Sequence, residues 1–132
     1  TPLNPHDQDI LNKLKTSIST IEIEGKSGRK TTCYGWWATP VDTSSKTKKD
    51  LYKIESPYDF FNNREVKQLL YRSYTAFSKM TLHNLDDVRR FKNSLELAKG
   101  SMNRSSLNEI VPGGSQTWSA FLDQLLSNLR FS

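Results

Sequence analysis

The chain has 132 residues, of which 35% are hydrophobic, 11% aromatic and 25% charged, and its formal net charge is +5. That length suits one domain, and that composition is globular rather than disordered or collagen-like. No apolar run approaches the roughly 18 residues that a bilayer crossing requires, no basic-then-apolar leader opens the chain, and a single cysteine, Cys33, excludes an internal disulfide.

In chain order, residues 4–19 predict a helix. Asn4 is an N-cap, Pro5 fits the first helical position, and Asp7 and Asp9 favour the positive end of the helix dipole. Ile10, Leu11, Leu14 and Ile18 make its apolar face. Residues 20–25, TIEIEG, alternate apolar and acidic and predict a strand with one wet face. GKSG then reads as a turn, and residues 30–38, KTTCYGWWA, as the return strand of a hairpin ended by Pro40. Residues 41–49 read as an exposed polar loop, residues 50–55 as a third strand, and SPYD as a turn. Helices are predicted over 63–80, 84–99 and 115–130, with 101–114 as a loop. Asn84 and Ser115 are the expected caps of the last two helices, and Gly100 stops the earlier of them. The expected fold class is therefore α+β: an N-terminal helix, a small antiparallel sheet of about three strands, then three helices, all in one domain over 1–132. The first residue is Thr1 rather than Met, which fits a domain excised from a longer protein.

The positive charge is not spread evenly. Between residues 26 and 49, Lys26, Arg29, Lys30, Lys46, Lys48 and Lys49 stand against Asp42 alone, while the first 25 residues are net acidic. A local basic excess is an electrostatic footprint for a polyanion. The same window holds adjacent tryptophans, Trp36 and Trp37. Neighbours on a strand point to opposite faces, so one ring can fill the core while Tyr34 and Trp36 form an aromatic pair beside the basic loop. In the helix 63–80, Arg64, Gln68, Tyr71, Arg72, Thr75 and Lys79 share a second face. Arginine and lysine there suit phosphates, and tyrosine a sugar or base.

Read together, GWW (35–37), the polar basic loop, KKDLYKIESP (48–57), a Phe at 60 or 61 and REVKQLL (64–70) resemble the methyl-CpG-binding domain and its TAM relatives. The matching residues are Gly35, Trp36, Asp50, Leu51, Tyr52, Ser56, Pro57, Phe60 or Phe61, Glu65, Val66 and Leu70, about a quarter of the chain. The resemblance implies a small sheet and loop laid along the DNA major groove. The family's two guanine-reading arginines are missing: Ala38 and Phe61 or Asn62 stand in their places. What the resemblance implies is a related fold or phosphate contact, not methyl-CpG reading.

No catalytic constellation is visible. Cys33, His6 and His83 lack the spacing of a zinc site and sit in no nucleophile–base pattern. The reading is a non-enzymatic nuclear domain of a chromatin-associated protein, with no cofactor and no membrane partner. It binds DNA, favoured over RNA, through Lys26, Arg29, Lys30, Tyr34, Trp36, Lys46, Lys48, Lys49, Arg64 and Arg72. The alternative is a protein-interaction module that uses the exposed sheet face or the C-terminal helix, whose apolar face carries Trp118, Leu122 and Leu126.

Overall fold

The computed structural model describes residues 2–32, 37–43 and 53–129. It contains six helices among those residues: α1 (Pro5–Ser27), α2 (Pro57–Phe61), α3 (Arg64–Lys79), α4 (Leu85–Ser101), α5 (Arg104–Asn108) and α6 (Trp118–Asn128). Of the described residues, 67% are helical and none lies in a β-strand, which overturns the expected α+β class. Among the described residues, bridge pairing outside helices consists of isolated bridges, Arg29 with Thr81, Asp42 with Ile54 and Ile110 with Thr117.

The correction begins in α1. TIEIEG is helical because the 3.6-residue period of Ile10, Leu14 and Ile18 continues without a break through Ile21 and Gly25, all buried. Ile23, whose spacing from Ile21 suggested alternation, points outward and is 67% exposed. A four-residue alternation loses to a longer helical face that has a partner. GKSG is the end of this helix and not a hairpin turn. Gly28 takes the left-handed conformation, φ 75°, and its N–H bonds the Glu24 and Gly25 carbonyls, a glycine C-cap.

The helix α1 lies against α3. Gly25 is placed at their closest approach: a Cβ there would stand 2.8 Å from the Ala76 Cβ. The other face of α3 carries Tyr74 and Phe77, which meet Phe91 of α4 at ring-centroid distances of 5.8 and 5.6 Å. Tyr71 meets Trp118 and Phe121 of α6 at 6.2 and 4.9 Å. Trp118 and Leu122 are fully buried and Leu126 is half-buried, so the apolar face of α6 closes the core. Two short helices escaped the sequence. Both α2 and α5 have five residues, too few to display a period, although Asn103 caps α5 by accepting from the Ser106 N–H. The cap of α6 is Thr117, two residues beyond the expected Ser115.

The described parts of the connection from α1 to α2, residues 28–32, 37–43 and 53–56, are fastened to α1 and α3. The buried Glu24 carboxylate accepts from the Thr31 and Thr32 amides at 2.6 and 3.1 Å. The Trp37 indole N–H donates to Ser17 Oγ at 2.8 Å, and Ser73 Oγ donates to the Ala38 carbonyl at 2.7 Å. At the far end, His6 Nε2–H donates to the Lys53 carbonyl at 2.8 Å. There the buried Asp7 carboxylate accepts from the Glu55 and Ser56 amides, both at 2.9 Å. Hydrogen bonds to a charged acceptor contribute about 1.5–3 kcal/mol each, so these carboxylates hold the connection without any sheet. Trp37 is thus a helix-packing residue, and its neighbour Trp36 lies outside the described residues.

Candidate nucleic-acid interface

Lys26 stands in the last turn of α1, on the exposed side of the helix. Opposite it, Arg72 and Lys79 project from α3, eight and fifteen residues after Arg64. Gly25 and Ala76 bring the two backbones together, and the side chains above them enclose a groove of about 170 Å³ lined by Glu22, Lys26, Tyr71, Arg72 and Lys79. Arg29 follows the Gly28 cap, is exposed, and is tied by its backbone to Thr81, two residues past Lys79. The C-terminal ends of α1 and α3 are joined here, since the Thr81 N–H donates to the Gly28 carbonyl at 2.9 Å. Cations are favourable at helix C-termini, which accounts for Lys26 and Lys79 as partners of the fold as well as potential ligands.

One carboxylate stands among these cations. Arg72 grips Glu22 with two bonds, Nε to Oε2 at 3.0 Å and Nη2 to Oε1 at 2.5 Å. The hydrogen bond from Arg72 holds the Glu22 carboxyl below the usual carboxylate range, with smaller help from the charges of Arg72 and Lys26, while burial opposes it. The Arg72 guanidinium is raised in turn by the bond to Glu22. With Glu22 ionised, Lys26, Arg72 and Lys79 leave the groove net positive, with Arg29 beside it. Lysine ammonium groups act as point charges and arginine as a fork, and both donate to phosphate oxygens.

The other expected contacts fare differently. Lys30 is half-buried and ion-pairs with Asp87 of α4 at 3.1 Å. The same Asp87 charge acts on Arg90, whose burial pushes its guanidinium down to about 9. Lys30 is therefore engaged in tying the end of α1 to α4. Arg64 is exposed in the first turn of α3, about 12 Å along the helix axis from Arg72, so it does not share the groove. Tyr71, read from the sequence as a base or sugar contact, is half-buried and packs on Trp118 and Phe121. Tyr34, Trp36, Lys46, Lys48 and Lys49 lie outside the described residues. So do Gly35, Asp50, Leu51 and Tyr52 from the methyl-CpG-binding resemblance; its Pro57 opens α2, Phe60 and Phe61 are buried, and Glu65, Val66 and Leu70 fall in α3.

The sequence places Lys79 on the Arg72 face of α3, and one charged member of the groove, Glu22, is absent from the sequence-derived contacts. Glu22 has no signal, because assignment to a strand hides its position one helical turn before Lys26. Among the described residues no cluster of His, Cys, Asp and Glu could hold a metal ion. A comparison with protein-family models, with curated proteins and with solved structures finds no match to this chain.

Proposed function

We propose that this chain is a non-enzymatic helical domain that binds DNA through its phosphates, with the joined ends of α1 and α3 as the contact surface. A nuclear, chromatin-associated setting follows from that reading. The observation that carries it is the convergence of Lys26, Arg72 and Lys79 on one groove, with Arg29 alongside. Local sequence supports it: the connection that starts at this end contains Lys46, Lys48 and Lys49, which with Lys26, Arg29 and Lys30 stand against Asp42 alone between residues 26 and 49. Contacts from such a surface go to phosphate and sugar. They fix position without reading bases, and their strength falls steeply with salt.

The test is fluorescence anisotropy with labelled duplex DNA, duplex RNA and single strands over a salt series, comparing the native chain with a Lys26→Glu/Arg29→Glu/Lys79→Glu variant. All three positions are exposed, so the variant is expected to keep its fold, with a melting temperature lowered by a few degrees because Lys26 and Lys79 no longer place positive charge at the ends of α1 and α3. The reading expects salt-sensitive duplex binding that the variant loses. Equal binding by the variant would move the interface elsewhere, and no binding at low salt by the native chain would end the nucleic-acid reading.

A further inference from the structure

The groove between α1 and α3 already holds one anion, and it belongs to the protein. Arg72 grips the Glu22 carboxylate through two bonds, with Lys26 and Lys79 in the same lining. We infer that the ligand this groove takes in exchange for Glu22 is a phosphate monoester, the terminal phosphate of a DNA strand. This assignment rests on the DNA reading of the same groove and adds that a strand end, rather than the duplex interior, is seated there.

The positive charge is focal. Lys15 and Glu65 stand seven residues before Glu22 and Arg72, on the same helix faces, and pair with each other at 2.9 Å. The seam is balanced at that level, and the excess lies toward its far end. A duplex laid along the seam would need a continuous basic track, whereas a single anion needs only this end. Arg72 stands about two turns before the end of α3, clear of the last turn, where the helix dipole repels anions.

The charge and the oxygens of a monoester match what the lining offers. Glu22 stays ionised because the bond from Arg72 holds its carboxyl below the usual carboxylate range. Three cations against one carboxylate leave the lining positive by two. A phosphate monoester carries about −1.5 to −2 at pH 7 and three strong acceptor oxygens. A backbone diester carries a single charge and, like a carboxylate, two free oxygens, so at Arg72 it only repeats what Glu22 supplies. A monoester can give two oxygens to the Arg72 fork and keep a third for a lysine ammonium. Thr75, also in the lining, has a buried hydroxyl that makes no hydrogen bond. Such a group is costly to leave unpaired. Threonine has two helical rotamers, and rotation about χ1 would turn the hydroxyl toward a phosphate oxygen in the groove.

The test is anisotropy with three labelled duplexes of one sequence, carrying a 5′-phosphate, a 3′-phosphate or hydroxyls alone at the unlabelled end. A phosphorylated end should bind about tenfold tighter than the hydroxyl end. Arg72→Lys keeps the charge but loses the fork, and should cut that ratio to below about twofold. Thr75→Val removes the hydroxyl at constant shape, and should lower the ratio by about threefold without lowering the melting temperature, since no hydrogen bond is lost. Thymidine 5′-monophosphate should displace the phosphorylated end better than a phosphothreonine peptide does. Equal binding of all three duplexes would overturn the strand-end assignment and leave the DNA reading standing. A ratio unchanged in both variants would also overturn it, as would stronger displacement by the phosphopeptide. No binding of any duplex at low salt would end both readings.

Discussion

Along one flank of α3, Arg72 and Lys79 face Lys26 across a groove of about 170 Å³; along the other, Tyr71 packs on Phe121 at 4.9 Å beside a groove of about 410 Å³ in which no described lining residue is charged. Tyr71 and Thr75 line both, so a single helical ridge divides two solvents of different character. The small groove exists because Gly25 lets α1 come close enough for cations on separate helices to converge. The large one exists because α6 crosses α3 with bulky rings, which hold the backbones apart. Side-chain size at two helix contacts therefore decides which flank attracts charge and which excludes it.

The strongest way to break this comparison is to reverse the charge of one flank alone. Lys26→Glu/Arg29→Glu/Lys79→Glu should reduce duplex DNA affinity by about 100-fold at low salt, and should flatten the slope of log affinity against log salt by about 0.9 for each phosphate no longer neutralised. An unchanged slope in anisotropy titrations would show that these cations never touch phosphate. Next in size is Gly25→Ala. Its added methyl would meet Ala76 at 2.8 Å, and overpacking of that kind costs about 1–3 kcal/mol, against about 1 kcal/mol gained by removing glycine from a helix interior. A net loss of up to about 2 kcal/mol in urea unfolding is expected, with weaker DNA binding. Stability above that of the native chain would mean the two helices separate freely.

Smaller effects sharpen the contrast. Glu22→Gln removes the one carboxylate of the cationic groove and frees Arg72. DNA affinity should rise by up to about fivefold while stability falls by less than about 1 kcal/mol, since the pair is solvent-exposed. A fall in affinity would mean that Glu22 positions Arg72 for binding. The smallest expected effect is with pH. Glu22 titrates below the usual carboxylate range because of its bond from Arg72. Its contribution is thus fully present above that range and is lost as pH falls through the lowered value. Between about pH 5 and 8 this pair should give no step in either stability or DNA affinity; a Glu22-dependent step in that window, absent in Glu22→Gln, would contradict the pairing.

Much of the helical frame was legible in the residues. The extents of α3 and α4 to within two residues, the caps Asn4 and Asn84, and the first half of α1 follow directly from period and capping chemistry. The second half of α1 was not, because Ile21 and Ile23 satisfy a strand pattern over too short a span to reveal which partner each meets. Only the packing of Ile21 and Gly25 against α3 distinguishes them. The site shows the same limit. Lys26, Arg29 and Arg72 stand out as basic residues in sequence, but the bond from Arg72 to Glu22 joins residues 50 apart, and no spacing rule reaches that far. Lys30 illustrates the reverse error: it belongs to the basic window yet is paired with Asp87, 57 positions on. The neutral groove had no sequence signature at all, since it assembles uncharged residues from three helices.

Asp7 and Glu24, the two buried carboxylates that fasten the returning connection, also make α1 a ruler. Glu24 stands seventeen positions after Asp7, or about 25 Å along the helix at 1.5 Å per residue. Removing one turn of α1 would shift one clamp by about 5.4 Å relative to the other, farther than any of these hydrogen bonds can stretch.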